Sequence, residues 1–232
     1  LKNGVFKRNT QGYIPTAGVV FLDEIFKANS AILNSLLTII NERVYHNGSQ
    51  KEAVPLLSLI GASNELPIGD SDLEALYDRF LVRKYVDYVS DGNLDKLFNI
   101  SSQPFKLDEE LKLSVEEIKT IMLQAQEVTI PNPVISAIKD IRLKLKEEFK
   151  DNLDESFSDR RLVKIQKLLK VAAYTNGRVS VGLSDVMLLG HCLWNNPENK
   201  EAVFDLIFDV LRKNSCTVEV MPNDSSTKDS EE

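Results

Sequence analysis

The hydropathy pattern of this chain changes character near residue 90, and that change limits its architecture more than any other feature. Before it, short apolar runs alternate with helical stripes; after it, only helical periodicity recurs. The run from Gly18 to Leu22 reads as a strand buried on both faces. Asn29 and Ser30 can cap a helix whose stripe is Ile32, Leu33, Leu36, Leu37 and Ile40. His46-Asn47-Gly48 is a turn signal between Arg43-Val44-Tyr45 and Ala53-Val54, so a hairpin is expected there. Leu56 to Ala62 reads as a second buried strand, Asp72 to Asp78 as a short helix, and Leu81 to Val89 as a third strand. Such alternation argues for an α/β fold with a parallel sheet.

From Asp91 the expected architecture is all-α. Ser114 with Glu117 matches a capping box, followed by Val115, Ile118, Ile121, Met122 and Ala125 as a core stripe. Val134, Ile138, Ile141, Leu145 and Phe149 form the next stripe, with a run of Lys and Glu on its solvated side. Ser158 caps a helix carrying Leu162, Ile165, Leu168, Leu169 and Ala172, and Asn176-Gly177 ends it. Ser184 opens a shorter helix, and Pro197 starts one with Val203, Leu206, Ile207, Val210 and Leu211. The expected divisions are residues 1–90, 91–195, an additional helix over 196–214, and a polar, acidic, disordered tail over 215–232.

Charge and cysteine content narrow the function classes. Lys and Arg number 28 against 35 Asp and Glu, a net charge of −7. Duplex DNA calls for clustered cations, so no nucleic-acid partner is expected. No apolar run approaches the length of a membrane span. Cys192 and Cys216 have neither CxxC spacing nor a set of ligands around them, which points to a reducing, cytoplasmic setting. His46 reads as an exposed hairpin residue, and His191 with Cys192 as packing residues near Trp194.

Four places carry residues suited to phosphate chemistry. Asp23 and Glu24 follow an apolar strand, at the end where open α/β sheets bind ligands. The first acid can hold Mg²⁺ and the second can orient or deprotonate water; many strands also end in acids that only face solvent. Asn64 follows the next strand and can position a water, or simply shape the turn before Pro67. In Asp78-Arg79-Phe80, Phe80 can anchor the segment while Arg79 projects toward a γ-phosphate; the plainer alternative is a surface ion pair. Arg160 and Arg161 open a helix, where positive charge opposes the helix dipole and invites an anion, or only solvent.

Acid pair, strand-end Asn, Arg before a strand, and Arg opening a helix stand in the order used by AAA+ ATPases. The blocks FLDEIFKANSAILNSLLTIINERVYHNG from Phe21, ASNELP from Ala62, LEALYDRFLVR from Leu73 and SDRR from Ser158 resemble the MoxR family, and within it the RavA-type branch (regulatory ATPase variant). The resemblance implies a partial AAA+ core followed by an all-α lid. It makes Asp23 and Glu24 the Walker B acids, Asn64 sensor 1, and Arg79 an arginine finger for the neighbouring subunit's nucleotide. Arg160 becomes sensor 2, with Arg161 the alternative. It implies ATP and Mg²⁺ as cofactors, a homohexamer, and chaperone-like remodelling of protein partners, often ones with von Willebrand factor A domains.

The chain departs from the family pattern in one respect: it contains no GxxxxGK[ST] phosphate loop. It also opens on Leu1 rather than Met. The expectation is therefore a piece of a longer ATPase, negligibly active by itself. In the family's sheet order of 5-1-4-3-2, the strands at 18–22 and 56–62 would pair in parallel, and 81–89 would lack its neighbour. The competing readings are a truncated, non-hydrolysing interaction module and another AAA+ clade such as a magnesium chelatase subunit.

Overall fold

In a computed structural model, residues 7–67, 69–100, 106–150 and 158–215 are described. All of the expected acidic tail beyond Ser215 lies outside the described residues. The chain divides into two compact units, Leu1–Val82 and Arg83–Glu232.

In the first unit, β1 (Val19–Leu22) pairs in parallel with a later strand, β4 (Ser58–Gly61), as expected. The register runs from Val19 opposite Ser58 to Leu22 opposite Gly61. Between them lie a helix and a hairpin. The helix, α1 (Ser30–Glu42), begins at Asn29, whose Oδ1 accepts the Ile32 N–H at 3.0 Å; a cap of this type contributes about 1 kcal/mol. It ends at Arg43, in the left-handed region at φ 57°. The hairpin joins β2 (Val44–Asn47) to β3 (Gln50–Ala53), with Val44 opposite Ala53. Gly48, at φ 64°, supplies the left-handed residue its tight loop needs. Asn47 is buried and acts as a surrogate peptide: its Oδ1 accepts the Arg8 N–H at 2.8 Å and its Nδ2 donates to the Arg8 carbonyl at 3.0 Å.

Two small cores hold this unit. Val20, Ile39, Val54 and Leu56 form one. Ile25, Leu33 and Leu76 form the other, with Phe80 against them. Leu76 belongs to α2 (Ser71–Tyr77), whose N-cap is Asp70.

Two expectations for this region fail. The strand at 18–22 is not buried on both faces: Val19 and Phe21 are 64% and 63% exposed, and Ile60 on β4 is 51% exposed. α1 and the residues around it cover one side of a two-stranded sheet, and no described layer of this unit covers the other. Residues 81–89 form no strand. A strand exists through its ladder, and among the described residues none lies beside this segment.

The second unit is helical. It contains α3 (Leu94–Phe98), α4 (Val115–Gln124), α5 (Asn132–Glu148), α6 (Asp159–Thr175), a run of 3-10 turns over Leu183–His191, and α7 (Lys200–Ser215). Its buried residues recur at helical spacing: Val134, Ala137, Ile141 and Leu145 on α5, Ile165, Leu169 and Ala173 on α6, and Val203, Ile207 and Val210 on α7. The Ser114–Glu117 capping box forms as expected, with the Ser114 N–H donating to Glu117 Oε2 at 2.7 Å. The stripe behind it is buried only at Ala125 and half-buried at Ile118 and Ile121. Val115 is 44% and Met122 57% exposed, because within this unit α4 rests on α6 and on the 3-10 turn over Ala125–Glu127, which cover part of the stripe.

Gly190 sets a packing limit. The Phe204 ring of α7 lies so near that a Cβ at position 190 would sit 2.6 Å from Cδ1. Gly190→Ala is therefore expected to push the 3-10 segment off α7, costing roughly 1–3 kcal/mol. A thermal melt should read this as a midpoint several degrees lower. An unchanged midpoint would show that the ring yields freely.

Candidate functional site

The parallel pairing of β1 with β4 brings two loops to one end of the sheet. Leu22 ends β1 and Gly61 ends β4, side by side. The Ala62 N–H donates to the Leu22 carbonyl at 2.8 Å, and the Ile25 N–H donates to the Ala62 carbonyl at 3.1 Å. These bonds lace Asp23 and Glu24 to the segment that leads into Asn64. All three side chains belong to exposed residues.

Glu24 has the left-handed backbone, φ 48° and ψ 42°. A non-glycine residue pays roughly 1–3 kcal/mol for such a conformation and keeps it where the surroundings impose it, often at functional sites. Here the Glu24 N–H donates to Asp23 Oδ1 at 3.0 Å, and a 3-10 turn over Ile25–Lys27 follows. Buried Ile25 roots that turn in the core beside Leu33 and Leu76. The turn returns Lys27 Nζ to within 2.8 Å of Glu24 Oε2. The hydrogen bond and charge of Glu24, aided by Glu65 and Asp23, raise the Lys27 ammonium above the ordinary lysine value.

Phe80 anchors the Arg79 turn, as expected: its ring packs on Gly61 at the tip of β4, where an added Cβ would meet it at 3.0 Å. Arg79 does not project freely. Its side chain is 15% exposed. Nη1 donates to the Ala75 carbonyl at 2.7 Å, and Nε donates to Asn41 Oδ1 on α1 at 3.3 Å.

In the helical unit, Ser158 caps α6 by accepting the Arg161 N–H at 3.2 Å. The two arginines then part ways. Arg160 is exposed, whereas Arg161 is 3% exposed and its Nη1 donates to Asn195 Oδ1 at 3.0 Å. Buried Arg83 donates to the same Asn195 oxygen and to the Trp194 carbonyl, and its N–H donates to the His191 carbonyl at 2.8 Å. Cys192 lies within this cluster; burial pushes its thiol up to about 11, against the opposing pull of Arg161 and Arg83. His191 stacks edge-on against Phe204 at 5.1 Å. Arg178 grips Asp185 with both guanidinium nitrogens at 2.6 Å, and this bond holds the Asp185 carboxyl below its usual range.

Comparison with known proteins decides the family. Residues 1–126 match the profile of the MoxR domain in the MoxR-vWA-beta-propeller ternary systems, and residues 133–207 match an AAA lid domain. The chain belongs to the MoxR family of AAA+ ATPases. Its relatives include two uncharacterized proteins of Methanocaldococcus jannaschii. MJ0079 is 46% identical over 216 residues, spanning 91% of this chain and 53% of the relative. MJ0812 is 45% identical over 213 residues, spanning 90% and 53%. The chain thus spans about half the length of these curated relatives. The crystal structure of a candidate ATPase from Cytophaga hutchinsonii shares the fold, with a TM-score of 0.59 at 17% identity over 86% of this chain and 66% of that one. Among the described residues no helix is long and apolar enough to cross a membrane.

Polar contacts in this MoxR chain differ in whether sequence reading could find them. Asn41 and Arg79 are 38 residues apart, with no spacing signal to join them. The Lys27–Glu24 pair was legible in principle, because a 3-10 turn superimposes residues three apart.

Proposed function

We propose that this chain forms the water-activating part of an ATP-driven machine of the RavA type, working as a homohexameric ring that remodels protein partners. The observation that carries this reading is the departure of Asp23, Glu24 and Asn64 from one end of two adjacent parallel strands. There Glu24 takes the proton from the attacking water and Asn64 helps orient that water. Arg79 serves the nucleotide of the neighbouring subunit. Of the two lid arginines, exposed Arg160 reads the nucleotide, while Arg161 is occupied with Asn195 inside the lid. Residues 1–90 act as core, 91–195 as lid, and 196–214 as an added helix.

The residues present fit Mg²⁺. Its six-coordinate shell takes one or two carboxylates, completed by phosphate oxygens and water. Asp23 offers one exposed carboxylate, and among the described residues no three His, Cys, Asp or Glu side chains gather into an all-protein cage. The ion, when bound, neutralises charge on the transferred phosphoryl group. The family profile is named for ternary systems with vWA and β-propeller proteins, which supports a protein partner bearing a von Willebrand factor A domain. The blocks RVYHNG and ASNELP support the RavA-type placement.

The full-length gene product is expected to release phosphate from ATP only when Mg²⁺ is present, and to run as a six-membered ring in native mass spectrometry with nucleotide. A full-length protein that binds no nucleotide would remove this reading.

A further inference from the structure

We infer that Asn41 is a positioning residue for Arg79. This rests on the reading of Arg79 as the group that serves a neighbouring subunit's nucleotide. A guanidinium on a flexible four-bond stem stabilises transition-state charge only if its plane and reach are set beforehand. An exposed arginine would have to give up its rotamer freedom at the moment of reaction. Arg79 is held in advance. The carbonyl of Ala75, one helical turn back on α2, accepts from Nη1 at 2.7 Å, and Asn41 Oδ1 accepts from Nε at 3.3 Å. The two acceptors approach different nitrogens from different helices, so together they fix the roll of the guanidinium as well as its position.

The Ala75 contact is to the main chain of α2, the helix just before the arginine, and any residue at position 75 could provide it. Asn41 comes from a separate element. It sits in the last turn of α1, two residues before left-handed Arg43 turns the chain into β2. The orientation of Arg79 therefore depends on the seating of α1. That seating is firm: Leu33, Leu36 and Ile39 of the same helix are buried, and Phe80 beside Arg79 packs into the cluster that contains Leu33. Asp78 Oδ2 also stands 3.9 Å from Nη1, so the guanidinium is held beside a carboxylate as well as by its two hydrogen-bond acceptors.

Three full-length variants test this: Asn41→Leu, Asn41→Asp and Arg79→Ala. Asn41→Leu keeps the branching at Cγ and removes the acceptor. It is expected to lower kcat about tenfold with an unchanged KM, since misorientation of a catalytic group by a fraction of an ångström costs this much or more. Asn41→Asp retains the acceptor and is expected to restore most of the rate. Mixing Asn41→Leu subunits with Glu24→Gln subunits should recover turnover, because some sites then combine an intact base with a correctly held arginine from the neighbour. A purely structural lesion at α1 would lower the melting point, resist rescue by Asp, and gain nothing from mixing; that result overturns the inference. An Asn41→Leu protein with the kcat of wild type overturns it too, while a collapse of turnover in Arg79→Ala leaves the parent reading standing. If Arg79→Ala turns over normally, the parent reading fails and the inference fails with it.

Discussion

Glu24→Gln is expected to abolish ATP turnover in the full-length protein while nucleotide affinity is retained. The amide keeps the shape of the carboxylate but cannot take a proton from water. Loss of a general base costs about 10²–10⁴-fold in rate. The fold should not register the change. Glu24 is exposed, and its ionic partner among the described residues, Lys27, is about half exposed, so the pair contributes little to stability. The left-handed turn is imposed by Ile25, rooted in the core and bonded to Ala62, and not by the carboxylate. Phosphate release and fluorescent-nucleotide titration on the same preparation separate the two quantities. Undiminished release would assign the proton transfer elsewhere.

Arg79→Ala should also lower turnover, by about 10³-fold if its guanidinium meets the transferring phosphoryl group. The cause would be different in kind. The lost group serves a site on the next subunit, so each variant subunit damages its neighbour and leaves its own acids intact. Mixing Arg79→Ala with Glu24→Gln subunits should then restore turnover at interfaces where an intact base meets an intact neighbouring arginine, with nucleotide affinity unchanged. A mixture no more active than its two components would make Arg79 a residue of its own site or of none. The variant also loses the bond to the Ala75 carbonyl at the end of α2, worth about 1.5–3 kcal/mol for a charged donor in a favourable case. A melting curve belongs beside the rate for that reason.

Local chemistry was the legible part of this chain. Asn29, Ser114 and Ser158 each announce a helix start, and each accepts the backbone N–H that its position predicts. The parallel pairing of residues 18–22 with 56–62 also followed from sequence, through the order of motifs in the resemblance as much as through hydropathy. What failed was burial. Val19, Phe21, Ile60, Val115 and Met122 are as apolar as any core residue, yet they face outward. Hydropathy records a preference for being covered and says nothing of which layer covers it. Residues 81–89 fail for a related reason: β-branched content favours a strand, but the ladder that defines one needs a second chain segment.

The site divides along the same line. Asp23, Glu24 and Asn64 could be found because strand ends are marked in sequence and the sheet brings them to one edge. The Asn41–Arg79 bond and the convergence of Arg83 and Arg161 on Asn195 could not, because they join residues far apart in the chain through side chains that are polar in any context.

The outward side of the β1–β4 pair carries a consequence for handling. Val19, Phe21 and Ile60 lie there beside strands whose backbones are, among the described residues, laddered on one side only. Oily surface and open hydrogen-bonding rims thus coincide, the combination that lets one polypeptide add as a strand to another. The shelf life of the isolated polypeptide should accordingly be governed by its concentration more than by its melting point, with clumping that starts from folded molecules.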